Sequence, residues 1–198
     1  MMNVFELNRS LRGVAMLAAA VTLAGCAALA PSPPAGSDAP FDIVGRVAVN
    51  FEGQAFTSNL RWQHAPGTGE VWLSTPLGQT LAHIQSSATE TRLTTADQQQ
   101  YRAASVEALT RRALGWELPL SRLTWWVRGE PVPGGAPAQI KRDERSRIAQ
   151  LEQDGWRIVY ENYPPDAHGG LPRRLDLRSG AQEIRLLIDG WREVEAAR

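Results

Sequence analysis

The chain has 198 residues with 21 basic and 21 acidic side chains, so its formal net charge is zero. The lack of a basic excess argues against a nucleic-acid partner, because such partners are bound chiefly through their phosphates. A single cysteine excludes an intramolecular disulfide. The seven tryptophans are many for this length, and their large apolar rings need either a core or a ligand cavity.

Residues 1–25 have the features of an export signal peptide. Two arginines precede an uncharged apolar run, 14–23, which is too short to span a bilayer. Leu-Ala-Gly-Cys at positions 23–26 resembles the bacterial lipobox, which implies cleavage before Cys26 and acylation of its sulfur. Ala27 stands where an inner-membrane retention signal would place aspartate, so the resemblance implies the periplasmic face of the outer membrane. The alternative is an ordinary signal peptide that happens to contain a cysteine.

Residues 26–40 are predicted to form a tether between the lipid anchor and the folded domain. They are rich in Pro, Ala, Ser and Gly, a composition that favours a semi-rigid chain without regular structure. At about 3.1 Å per residue in a polyproline conformation, the tether would reach on the order of 40 Å. The folded domain is therefore expected at residues 41–198.

The first half of this domain is predicted to be a meander of antiparallel strands. Apolar and polar residues alternate over 43–51 and again over 56–62, the period-two pattern of half-buried strands. Further strands are predicted at 70–74, 79–85 and 90–95. The connections between them are short turns, which favour antiparallel pairing.

The middle of the domain predicts two helices, and strands resume after them. The first helix covers 105–114, with Ser105 as its N-cap and Gly115 at its exit. The second covers 119–129, and its apolar stripe contains Leu120, Leu123, Trp126 and Val127. After a Pro/Gly-rich connector, strands are predicted at 146–153, 156–160, 173–178 and 182–188. Ten or eleven strands with two central helices predict a mainly β, α+β fold in which a large antiparallel sheet curls.

No motif in the chain predicts catalysis. The three histidines are far apart, no Cys/His cluster has the spacing of metal ligands, and no glycine-rich phosphate loop is present. The Ser, His and Asp residues lack the surroundings of a nucleophile motif. The alternating charges of 141–147 predict a solvated edge or hairpin. We therefore expect a protein without enzymatic activity, catalytic residues, metal or cofactor.

The segment Pro76-Leu77-Gly78 is predicted to be the tip of a hairpin. Pro76 and Gly78 suit the second and fourth positions of a type I turn, which places Leu77 at the tip. An exposed leucine there would need an apolar partner. The alternative is that Leu77 folds back onto a neighbouring strand.

Apolar residues on the inward face of the strands and on the second helix are the candidate lining of a ligand cavity. They are Val47, Val49, Phe56, Leu60, Trp62, Leu123, Trp126, Ile158, Tyr160, Leu177 and Leu186. The same residues are equally compatible with a solid core. The sequence alone leaves these two alternatives open.

An ordered series of short motifs resembles the LolB family of outer-membrane lipoprotein receptors. The series is Gly45-Arg46, Leu60-Arg61-Trp62, Pro76-Leu77-Gly78-Gln79, Leu114-Gly115-Trp116-Glu117-Leu118-Pro119-Leu120, Trp126-Val127-Arg128-Gly129, Gln153-Asp154-Gly155-Trp156 and Trp191. The resemblance implies an incomplete antiparallel β-barrel of about eleven strands whose helices lid an apolar cavity. It also implies that the protein accepts acylated lipoproteins from the periplasmic carrier LolA and inserts them among outer-membrane lipids. Its membrane-insertion loop would be Pro76, Leu77 and Gly78.

Two other functions are compatible with a lipid-anchored domain of this kind. One is a structural envelope protein, and the other is a general carrier of lipids or hydrophobic molecules. Neither requires acylated protein as cargo. We expect the protein to be a monomer under all three interpretations.

Overall fold

The structure is a computed structural model that describes residues 39–164 and 171–192. The predicted signal peptide, and the predicted tether apart from Ala39 and Pro40, lie outside the described residues. Within the described ranges the chain forms one antiparallel sheet of eleven strands together with two helices. No helix in these ranges is long and apolar enough to cross a membrane.

Six strands form the first half of the sheet and follow one another as neighbours. They are β1 (Phe41–Phe51), β2 (Gln54–Ala65), β3 (Thr68–Ser74), β4 (Thr80–Ser87), β5 (Thr91–Thr95) and β6 (Gln100–Ala103). The first five lie where the alternation of apolar and polar residues predicts them. The short strand β6 has no counterpart among the predicted strands.

Two helices connect the halves of the sheet, α1 (Val106–Leu114) and α2 (Leu120–Trp126). Ser105 caps α1, because its side chain accepts a hydrogen bond from Ala108 N at 3.2 Å. Gly115 ends α1 in the left-handed conformation, as predicted. The second helix is shorter than the predicted 119–129, since Gly129 N bonds the carbonyl three residues earlier and the chain leaves through a tighter turn.

The second half contains β7 (Gln139–Arg142), β8 (Ile148–Gln153), β9 (Trp156–Glu161), β10 (Arg174–Ser179) and β11 (Gln182–Arg192). The charged run at 141–147 forms the hairpin between β7 and β8, in line with its prediction as an edge or hairpin. Asp143 holds this turn by accepting from the backbone N–H groups of Arg145 and Arg147, both at 2.9 Å. The strand β7 itself was not predicted.

Strands β1 and β11 join the two halves, giving the order β6-β5-β4-β3-β2-β1-β11-β10-β9-β8-β7. The sheet does not close, because β6 and β7 are its edges. A glycine is required where the halves meet: a Cβ at Gly45 would lie 2.0 Å from the Leu187 carbonyl oxygen. A register shift between Val44 and Gly45 accompanies this close approach.

The helix α2 packs on the inner face of the sheet and contacts both halves. Trp126 is fully buried, its indole N–H donates to Gln153 Oε1 on β8 at 3.3 Å, and its ring lies 6.1 Å from the Trp156 ring on β9. Leu120 and Leu123 face β1 and β2 across a small apolar void. The apolar face of α2 is therefore part of the core of the domain.

The strands run between two ends of the sheet, which we name by their residues. The Leu77 end carries the connections that follow β1, β3 and β5. The Phe41 end carries the start of β1 and the connections that follow β2 and β4.

Candidate functional site

The loop between β3 and β4 presents Leu77 to solvent. Gly78 N donates to Thr75 O at 2.9 Å, which closes the predicted β-turn with Pro76 and Leu77 at its centre. Two more hydrogen bonds fasten the turn, from Thr75 N to Gln79 O at 2.9 Å and from Asn59 Nδ2 to Thr75 O at 3.2 Å. Leu77 is 91% exposed. The alternative that Leu77 folds back onto a neighbouring strand is therefore wrong.

The sequence neighbours of Leu77 carry no formal charge. Residues 71–82 contain no Asp, Glu, Lys or Arg. Exposure of a leucine to water is unfavourable, and its transfer to an apolar environment is favourable. The tip of this loop is therefore suited to contact an apolar surface.

An apolar cavity of about 380 Å³ opens at the Leu77 end. Phe51, Gln54, Leu81 and Thr95, which lie where β1, β2, β4 and β5 reach this end, contribute to its lining. Phe56 also lines it and is 37% exposed. No residue of the lining carries an ionisable side chain, so the cavity suits an uncharged, apolar ligand.

A second void continues from this cavity toward α2. It has a volume of about 40 Å³, and the two voids share Val49, Phe56, Leu73 and Trp116 in their linings. Leu120 and Leu123 of α2 border the second void. A shift of Trp116 or α2 would therefore enlarge the cavity toward the interior.

The connection between α1 and α2, residues 115–119, borders the cavity through Trp116 and is called the lid segment below. Leu118 N donates to Thr110 Oγ1 at 2.9 Å, and Gln182 Nε2 donates to Glu117 O at 2.8 Å. Glu117 also pairs with Arg111. Two hydrogen bonds and one ion pair thus hold the lid segment in place.

A groove of about 500 Å³ at the Phe41 end is larger than this cavity, but its chemistry differs. Glu70, Glu90 and Arg92 contribute to its lining. Burying an apolar ligand against charged groups is unfavourable, since these groups would lose water without gaining partners. A hydrophobic ligand would therefore fit the smaller, apolar cavity better than this groove.

The chain is similar in sequence to a known protein family over most of its length. The family described as "Outer membrane lipoprotein LolB" matches residues 39–191. The outer-membrane lipoprotein LolB of Nitrosomonas europaea is 42% identical over 154 residues, covering 77% of this chain and 72% of the relative. That of Thiobacillus denitrificans is 38% identical over 186 residues, covering 91% of this chain and 98% of the relative. The chain belongs to the LolB family.

This family membership confirms the resemblance drawn from the motifs and supports the role of an outer-membrane lipoprotein receptor. The fold has a more distant likeness as well. The solved structure of a DUF1329 family protein from Desulfovibrio piger superposes with a TM-score of 0.52 at 6% identity, covering 80% of this chain and 87% of that one. That likeness concerns the fold alone.

The structure divides the eleven cavity candidates of this LolB-family chain into two groups. Seven border an apolar void: Val49 and Phe56 border both voids, and Val47, Leu60, Trp62, Leu123 and Leu186 border only the void of about 40 Å³. Four border neither void: Trp126, Ile158, Tyr160 and Leu177. All eleven except Phe56 belong to the hydrophobic core. Burial raises the pKa of the Tyr160 phenol, which therefore stays neutral. Contact of the first seven with acyl chains stays a prediction.

Other residues of the site were not among the candidates, and Leu81 and Trp116 are the main ones. Leu81 lies where the pairing of β3 and β4 shifts register, so it has no partner on β3 and lines the cavity beside Ala82. Trp116 lies in the lid segment and borders both voids. In the part of the chain that the structure describes, no group of three His, Cys, Asp or Glu side chains could hold a metal ion.

Proposed function

We propose that this LolB-family protein accepts acylated lipoproteins from the periplasmic carrier LolA and inserts them into the outer membrane. The acyl chains occupy the cavity under the lid segment, Leu77 contacts the bilayer, and Cys26 carries the lipid anchor at the periplasmic face. One observation carries this proposal: the apolar cavity opens at the same end of the sheet as the exposed Leu77. Cargo that leaves the cavity there meets the bilayer that Leu77 contacts.

The energetics of the cargo explain why a receptor of this kind is needed. A triacylated lipoprotein exposes three chains, and each methylene left in water costs about 0.8 kcal/mol. With roughly fifteen methylenes per chain the total is on the order of 35 kcal/mol, so free diffusion through water is excluded. The cargo must therefore pass directly between apolar environments.

The size of the cavity adds a conformational requirement. A volume of about 380 Å³ is at the low end of the range of about 300–1,000 Å³ that holds one drug-sized ligand. Three acyl chains are larger than such a ligand, so the lid segment must move when cargo enters. It is held by the hydrogen bond that Thr110 accepts, the one that Gln182 donates and the Arg111–Glu117 pair, which are few enough to allow such a movement.

The proposal is tested by filling the cavity. Ala82 faces the cavity, so Ala82→Phe should reduce uptake of a fluorescent acylated peptide from LolA while leaving the Leu77 loop unchanged. Thr57→Phe is the matched control, because Thr57 is exposed on the outer face of the neighbouring part of the sheet. Undiminished uptake by a folded Ala82→Phe protein would contradict the assignment of the cavity. Uptake of free lipid in preference to acylated peptide would instead favour a general lipid carrier.

A further inference from the structure

The polypeptide enters the domain at the Phe41 end and is fastened there. Arg128, which follows α2, donates from Nη2 to the carbonyl oxygens of Ala39 at 2.7 Å and Pro40 at 3.4 Å. Its guanidinium carbon lies 5.4 Å from the centre of the Phe41 ring, and Phe41 is buried. Arg128 therefore holds Ala39 and Pro40 at the Phe41 end.

Leu77 lies at the other end of the sheet. Phe41 pairs with His64, and His64 pairs with Gly69, so these three residues lie at one level. From Gly69 the chain advances five residues along β3 to Ser74 and three more to Leu77. At about 3.4 Å per strand residue these eight steps would span at most about 27 Å, and the turn shortens the last three, so Leu77 lies on the order of 25 Å from the Phe41 level along the strand direction.

We propose that the chain between Cys26 and Ala39 acts as a spacer that lets the anchored domain turn its Leu77 end toward its own membrane. This inference rests on the proposed function, because it takes Cys26 as the anchor and Leu77 as the membrane contact. Thirteen residue steps separate Cys26 from Ala39. At about 3.1 Å per residue they reach about 40 Å, which exceeds the separation of the two ends by about 15 Å.

Shortening the spacer tests the proposal in the full, lipidated protein in proteoliposomes. Deleting residues 31–38 leaves five steps, about 16 Å, which is too short to bridge the domain. Deleting residues 31–34 leaves nine steps, about 28 Å, which is still sufficient. Residues 27–30 stay unchanged so that signal cleavage and acylation are preserved, and labelling with palmitate checks both.

The expected result is a length threshold. The four-residue deletion should insert cargo into its own vesicle at the full-length rate, and the eight-residue deletion should not. Replacing 31–38 by eight Gly and Ser residues is the matched control and should restore insertion. The eight-residue deletion should still accept cargo from LolA and deliver it to added protein-free vesicles, because its Leu77 end faces away from its own membrane.

If the eight-residue deletion variant inserts cargo into its own vesicle at the full-length rate, the spacer proposal is overturned. Loss of insertion in the Gly/Ser replacement would also overturn it, because sequence and not length would then matter. Failure of the full-length protein itself to insert cargo would contradict the proposed function instead. The deletion and replacement variants therefore test the spacer, and the full-length protein tests the proposed function.

Discussion

Replacing Leu77 should impair the delivery of cargo to the membrane and leave its acceptance from LolA unchanged. Leu77 is 91% exposed, and the hydrogen bonds that close its turn involve backbone groups and the Asn59 side chain, not the leucine. Leu77→Glu and Leu77→Gln should therefore change the free energy of unfolding by no more than about 0.5 kcal/mol, as surface substitutions usually do. The cavity and the lid segment should keep their structure, so acceptance from LolA should be normal.

The effect on insertion follows from burial of the leucine in the bilayer. Moving a leucine side chain from water to an apolar environment is worth about 1.5–3 kcal/mol. Since about 1.4 kcal/mol is a factor of ten, Leu77→Gln should weaken membrane contact by roughly tenfold to a hundredfold. Leu77→Glu should weaken it further, because a charge must also be desolvated at the bilayer. Leu77→Met keeps an apolar tip and should insert cargo almost normally.

The assay measures transfer of a labelled lipoprotein in two stages, from LolA to the soluble domain and from the domain to liposomes. Thermal unfolding is measured on the same samples. Normal insertion by a stable Leu77→Glu protein would refute the membrane role of the tip. A large loss of stability would show that Leu77 packs against the domain, in contradiction to its exposure.

Three further predictions concern the anchor, the sheet and the lid. Cys26→Ala should abolish labelling with palmitate, and unchanged labelling would contradict the lipid anchor. Gly45→Ala should lower the free energy of unfolding by about 1–3 kcal/mol in denaturant titrations, because a Cβ would overlap the Leu187 carbonyl. Among proteins with one tryptophan each, Trp116 fluorescence should respond to cargo and Trp126 fluorescence should not, because only Trp116 borders the cavity. Equal responses would mean that the core opens as well.

The sequence predicted the features that depend on local chemistry. Alternation predicts the inner face of β1, and the Pro-x-Gly turn predicts Leu77 at the tip of the loop, because both follow from contacts within a few residues. Ser105 and Gly115 gave the limits of α1 for the same reason. Whether Leu77 is exposed or folds back onto a strand is decided only by the structure. The order of the strands could not be predicted in this way, because the pairing of β1 with β11 depends on contacts between residues that are far apart in the sequence.

The division between cavity and core was not predictable from the sequence. Val49 and Ile158 are both apolar and both buried in the core, yet only Val49 borders the cavity. The difference arises from where α2 packs, and Trp126 fixes that position through Gln153 on a distant strand. Leu81 was missed because a register shift breaks the alternation there. The edge strands β6 and β7 have only four residues each, too few for a clear period.

Under the proposed function, we expect the lid segment to influence the direction of transfer, because the sequence contains no nucleotide-binding motif that could drive it. Cargo must displace the lid segment, which breaks the Thr110–Leu118 and Gln182–Glu117 hydrogen bonds at a net cost of about 1 kcal/mol each. That cost lowers the affinity of the domain for acyl chains, whereas a fluid bilayer accepts them without it. We therefore expect this cost to favour release of cargo toward the membrane at the Leu77 end. A lid segment that is held more weakly should retain cargo longer, so the two hydrogen bonds and the Arg111–Glu117 pair would contribute to the balance between acceptance and delivery.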